Sequence, residues 1–139
     1  MSDSRNLRVL DAAEDLAATV LSTVASIDGF KAPGVRGQLV RSIAAVPANI
    51  AEAANLGTDP NFKRQLRLSL ASANEAGSHL RVLARTGALG RPLIFRCEAK
   101  RIVVCKMLVS LLRAVEEREA HREEEQRSKR RNAPNAKRE

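Results

Sequence analysis

The sequence predicts an all-α fold, an antiparallel up-down four-helix bundle, on three observations. Apolar residues recur at helical spacing in four separate stretches. Glycine and proline fall between those stretches, where they end one helix and open the next. Strand formers are scarce, since the 139 residues include three Phe and neither Tyr nor Trp, and Ala and Leu dominate the 44% hydrophobic fraction. A chain of this length builds one domain with its own core, without disulfides or a structural metal.

The first helix is read from Leu7 to Ile27. There Val9, Leu10, Ala13, Leu16, Ala17, Val20, Leu21, Val24 and Ile27 form an apolar face opposite Arg8, Asp11, Asp15, Ser22 and Ser26. Gly29 stops it, and Phe30 to Gly34 turn the chain. The second runs from Val35 to Leu56 on a stripe of Leu39, Ile43, Val46, Ile50 and Ala53. Pro47 lies inside it and predicts a kink, because proline removes one backbone hydrogen bond and crowds the preceding turn, while the apolar phase continues across it. Gly57 ends this helix, and Thr58-Asp59-Pro60 reads as an N-cap followed by proline at the first helical position. The third helix therefore runs from Pro60 to about Thr86, with Gly87 as its stop.

Gly90 and Pro92 open the fourth helix, which continues through Val115 into the charged run Glu116 to Glu125, a solvated extension laced with i to i+4 pairs. Residues 126–139 hold six basic side chains, one acidic, Pro134 and no large apolar residue. They are read as a flexible basic tail beyond a bundle of residues 1–125. In the fourth helix Leu93, Ile94, Cys97, Ile102, Val104, Cys105, Leu108, Val109, Leu111, Leu112 and Val115 cover about half the circumference, more than one bundle seam needs. A second buried face is expected, against another copy of the chain, with Val109 and Leu112 at the interface.

Cys97 and Cys105 sit eight residues apart on this helix, roughly 12 Å along its axis, and cannot bridge each other. No apolar run has the length of a membrane span, and the opening residues lack a signal-peptide core, so a soluble protein of the reducing cytoplasm is expected, with no membrane partner.

The formal net charge is +8, unevenly spread. Residues 1–59 carry five Lys/Arg against seven Asp/Glu, residues 60–106 ten against two, and residues 107–139 nine against seven. On the third helix Lys63, Arg67, Asn74, Arg81 and Arg85 fall within about 40° of one another, apart from the apolar arc of Leu66, Ala73, Ala76, Leu80, Leu83 and Ala84. This stripe contains no acidic residue and is expected to face solvent. With the tail residues Arg127, Lys129, Arg130, Arg131, Lys137 and Arg138 it points to RNA or DNA held by the phosphate backbone. Base-specific reading is not expected, because there is no Trp or Tyr on which to stack bases and no motif that enters a groove.

Catalytic signatures are missing: the sequence holds no phosphate-binding glycine loop, no His-Glu-x-x-His, no Cys-x-x-Cys and no Gly-x-Ser-x-Gly. Glu75 and His79 lie one turn apart, but a di-iron bundle needs Glu-x-x-His repeated on a second helix, so the pair is read as packed or solvated, and His121 as exposed. No enzyme activity, cofactor or metal is expected. Gln38, Arg41, Asn49 and Glu52 share one side of the second helix. Arg41 and Glu52 stand eleven residues apart, about 16 Å, and cannot pair directly, so the set is read as a structural polar network completed by Glu75 from another helix.

The segment Gln38-Leu-Val-Arg-Ser-Ile-Ala-Ala-Val-Pro-Ala-Asn-Ile-Ala-Glu-Ala53 resembles the signature of the four-helix-bundle proteins encoded in intervening sequences of 23S ribosomal RNA genes. That family's pattern runs Gln-Leu-x-Arg-Ser/Ala, then Ile/Val-Pro-x-Asn-Ile-Ala-Glu-Gly. Phe62, Leu66 and the stretch Leu70 to Glu75 resemble its Phe-x-x-x-Leu and Ala-x-Gly-Ser-x-x-Glu block. Two positions depart: Ala53 stands for the usual glycine, and Ala71-Ser72 for Gly-Ser. The resemblance implies four antiparallel helices, often five subunits in a ring, and no known enzymatic activity. It also implies an architectural relative, the accessory variability protein of diversity-generating retroelements, a basic pentamer that works with a reverse transcriptase and nucleic acid. The expectation is a non-enzymatic, homopentameric nucleic-acid-binding accessory protein, with a reverse transcriptase as a further partner. The alternatives are a protein-docking scaffold that does not touch nucleic acid, and a small metal or acid/base enzyme built from Glu52, Glu75 and His79.

Overall fold

In the computed structural model, which describes residues 4–27, 32–55 and 59–134, the four apolar stripes become four α-helices. They are α1 (Ser4–Ala25), α2 (Pro33–Asn55), α3 (Asp59–Arg85) and α4 (Arg91–Asn132). No strand occurs among the described residues. Each helix packs on its chain neighbours and α4 closes on α1, so the four form an up-down square in chain order, with the most extensive seam between α2 and α3.

The stripes meet at the centre. Leu16 and Val20 of α1, Leu39, Ile43 and Val46 of α2, Leu66, Leu80 and Leu83 of α3, and Leu108 and Val115 of α4 are all fully buried. Leu21 departs from the predicted face of α1 and is 40% exposed. Polar ties are few and internal. Ser69 of α3, fully buried, donates its hydroxyl to the Val46 carbonyl at 2.8 Å, beside Pro47, and α2 stays helical through that proline. The Cys97 thiol donates to Thr23 Oγ1 at 3.6 Å, tying α4 to α1.

Helix ends follow local chemistry. Ala32 takes a positive φ of 45° ahead of Pro33, which disfavours the right-handed region for its predecessor and opens α2 two residues before the predicted Val35. Gly87 has φ 74°, its N–H bonds the Ala84 carbonyl and the Ala88 N–H the Leu83 carbonyl, which is a Schellman closure of α3. Gly90 caps α4 and Pro92 lies in its first turn. The predicted stops Gly29 and Gly57 lie outside the described residues.

At 42 residues α4 is far longer than α3, at 27, and its last turns extend past the bundle into solvent. Here the structure corrects the predicted boundary of the flexible tail. Residues 126–132 are helical, because no Gly or Pro interrupts the chain before Pro134 and the last turn places Lys129, Arg130 and Arg131 at the negative end of the helix. Pairs Glu124–Arg131 at 3.6 Å and His121–Glu125 at 3.2 Å run along this extension. Lys137 and Arg138 lie outside the described residues. No described helix is long and apolar enough to cross a membrane.

Candidate functional site

The basic stripe of α3 is largely exposed, with Arg67, Asn74, Arg81 and Arg85 open to solvent and Lys63 half-buried. It lies along the α3–α4 seam, and α4 meets it with carboxylates. Lys63 Nζ stands 2.6 Å from Glu119 Oε2, Arg67 Nη2 3.1 Å from Glu116 Oε1, and Arg81 Nη1 3.8 Å from Glu98 Oε2. The expectation of an unneutralised stripe is therefore corrected. No acid shares the face of α3, but the antiparallel neighbour supplies three. Lys63 and Glu119 are mostly covered, whereas Arg67 and Glu116 are exposed.

The middle of the seam holds a group that periodicity does not reveal. Arg101, 8% exposed, turns inward among the α4 core residues and is clamped by Glu98, with Nε to Oε1 at 2.8 Å and Nη2 to Oε2 at 2.6 Å. Its guanidinium lies over Gly77 of α3, where an added Cβ would come within 2.6 Å of Cζ and Nε. A glycine in mid-helix costs about 1 kcal/mol relative to alanine, and here it makes room for the arginine. The hydrogen bond to Glu98 pushes the Arg101 pKa up, against the opposing effect of burial. Cys105 donates from Sγ to Asn74 Oδ1 at 3.9 Å and lies 3.7 Å from Arg101 Nη1. Burial raises its thiol pKa, outweighing the pull of the guanidinium, so it is no activated nucleophile.

These pairs fix the antiparallel register. Asn74 faces Cys105 and Arg81 faces Glu98, so Arg85, one turn on, comes level with Ile94 and Phe95 of α4. At this end Arg85, Arg91 and Arg96 are all exposed and meet no carboxylate among the described residues. At the far end of α4, Arg127, Lys129 and Arg130 are likewise exposed and unpaired, while Arg131 is held by Glu124.

Of the predicted polar network, Gln38, Arg41 and Glu75 come together. With Ser42 and Ser72 they line a cleft of about 370 Å³ between α2 and α3. Asn49 and Glu52 lie further along α2 and do not line this cleft. His79 Nε2 is 3.2 Å from Glu75 Oε1, and the Glu75 side chain is 59% exposed. Among the described residues no three His, Cys, Asp or Glu gather as a metal would require.

The outer face of α4 carries the excess apolar surface. Phe95 is 75% exposed, Val103 53% and Ile102 44%. Val109 is half-buried and lines a groove of about 530 Å³ with Leu70, Ile102 and Cys105. Leu112 is corrected from interface to core: it follows Leu108 by one turn on the inward stripe and is 8% exposed. Arg101, Gly77 and Phe95 are the residues that the sequence reading missed. The signal available for the first two was the isolated glycine inside a helical pattern.

Residues 5–110 match the family model of the 23S rRNA-intervening sequence protein. No curated protein matches the chain. Among solved structures it is similar to a protein of unknown function from the S23 ribosomal protein family of Bacteroides thetaiotaomicron, with a TM-score of 0.70 and 22% identity over 78% of this chain and 98% of that one. At that identity the likeness speaks for the fold. The chain belongs to the 23S rRNA-intervening sequence protein family.

Proposed function

We propose that this member of the family is a non-catalytic, homo-oligomeric accessory protein that holds nucleic acid by its phosphate backbone. The observation that carries this reading is where positive charge remains after internal pairing. The glutamates of α4 pair with the stripe at Lys63 and Arg67, and Glu98 is shared between Arg81 and Arg101, while among the described residues Arg85, Arg91 and Arg96 stay unpaired at the α3–α4 turn, and Arg127, Lys129 and Arg130 along the projecting end of α4. Each phosphate that these cations contact releases counterions, adding roughly 0.7 to 0.9 to the salt slope of the binding constant. A ring of subunits, five by the family resemblance, repeats the contacts and raises the slope further. The apolar outer face of α4 around Ile102, Val103 and Val109 supports self-association. The resemblance to the accessory variability protein makes a reverse transcriptase the class of enzyme partner to test.

The same apolar face favours the second reading, a scaffold that docks another protein without touching nucleic acid. A binding series on structured RNA and on DNA across salt, with light scattering on the same samples, separates the two. We expect an oligomer whose binding weakens steeply with salt and loses slope when the chain is truncated after Gln126. A parent protein that is not retained on either nucleic acid at roughly 0.15 M salt would leave the scaffold. For assembly, Val109→Glu is expected to dissociate the oligomer without unfolding the subunit. Leu112→Glu, which places a charge in the core, is expected to unfold it.

A further inference from the structure

We infer that Phe95 is a stacking platform for an unpaired base and that Arg85 and Arg91 hold the adjoining phosphates, so that the α3–α4 end of the bundle takes a single-stranded segment of nucleic acid. This rests on the nucleic-acid reading above and adds where and in what form the strand is held.

Phe95 is 75% exposed, more than any other large apolar side chain among the described residues, which leave most of it uncovered. Its surroundings are cationic. Arg91 precedes it by one helical turn on the same face, and the register set by Arg81 and Glu98 brings Arg85 level with it across the seam. Arg96 is exposed next to it. The carboxylate closest along α4, Glu98, is already held by Arg101 and Arg81. The first turn of α4 contains no acidic residue, so the positive end of the helix adds to the same field.

An exposed aromatic face with exposed arginines one turn before it on its own helix and level with it on the next suits a nucleic acid strand, because every base offers a π-face while the cations meet the backbone. It suits a second copy of the same patch poorly, since that contact would set like charges together. The apolar face available to a copy lies further along α4, at Ile102 and Val103. A duplex keeps its bases paired and stacked internally and has none to offer.

The chain contains no Trp, so Phe95→Trp creates a single fluorescent reporter at an exposed position. We expect oligoadenylate RNA to quench it and the duplex of that strand with oligouridylate to leave it nearly unchanged. Phe95→Ala should bind the single strand about tenfold more weakly with the same salt slope, because stacking releases no counterions. Arg85→Gln/Arg91→Gln should lower the slope by about 1.4 for two lost phosphate contacts. Equal quenching by the duplex, or an undiminished affinity of Phe95→Ala, overturns the platform while leaving backbone-directed binding by the parent intact. An emission that shifts to the blue with protein concentration, before any nucleic acid is added, assigns Phe95 to a second copy and also overturns it. A parent that binds neither form removes the platform together with the nucleic-acid reading.

Discussion

The two ends of the α3–α4 seam look alike in sequence and differ in the folded chain. Towards the start of α3, Lys63 and Arg67 meet Glu119 and Glu116. Towards its end, Arg85 stands beside Arg91 and Arg96, and α4 offers no carboxylate beyond Glu98. The same residue types thus zip two helices together at one end and leave a cationic surface at the other. A basic stripe therefore says little about its partners until the facing helix and its register are known. Net charge bears on solubility and steering, but the pairing bears on where an anion can sit.

Between the two ends Arg101 of α4 packs over Gly77 of α3, and the largest effect is expected there. Arg101→Ala removes a clamped, buried guanidinium and leaves the Glu98 carboxylate without its main partner, a loss of about 3 kcal/mol in denaturant unfolding. Gly77→Ala sets two effects against each other. Alanine gains about 1 kcal/mol in helix propensity, while a Cβ 2.6 Å from the guanidinium forces Arg101 to move and costs roughly 1 to 3 kcal/mol. We expect net destabilisation, and a stabilised Gly77→Ala protein would mean that Arg101 does not pack on α3.

Smaller effects grade the zipped end. A double-mutant cycle on Lys63 and Glu119, which are mostly covered, should give a coupling of about 0.5 to 1 kcal/mol. The same cycle on the exposed Arg67 and Glu116 should give about 0.3 kcal/mol or less and vanish at high salt. Equal couplings would erase the gradation along the seam.

Cys105 supplies a pH signature beside the clamp. Its thiol pKa is raised by burial, so the native state holds this proton more tightly than the unfolded chain does. Its contribution is fully present below the ordinary thiol pKa and is lost as pH rises through the native value. Alkylation should accelerate only at pH above the usual cysteine range. Arg101→Ala removes the charge that lowers the pKa and should shift that profile higher still, provided that the variant stays folded under the assay.

The helices were legible because each carries a 3.6-residue apolar repeat of its own, and the Gly87 closure because a left-handed stop has a local signature. The convergence of Gln38, Arg41 and Glu75 was partly legible, since shared helix faces suggested it, although Asn49 and Glu52 on the same side of α2 do not line that cleft. The pairing of Lys63 with Glu119 was not legible, because it depends on a register between segments 56 residues apart. Arg101 reads as a polar interruption between Cys97 and Val104 until Gly77 is seen beneath it. Residues 126–132 were read from composition as a tail, while the absence of a helix breaker keeps them in α4.

The contrast between the two ends is tested most directly by reversing charge at each and measuring the salt slope of binding to RNA. Arg85→Glu/Arg91→Glu is expected to lower the slope by about 1.4 to 1.8, the value of two phosphate contacts. Lys63→Glu/Arg67→Glu, which disrupts only internal pairs, is expected to bind with nearly the parent's slope. If the second variant loses as much slope as the first, or the first loses none, the surface that meets nucleic acid does not lie where pairing leaves arginine exposed.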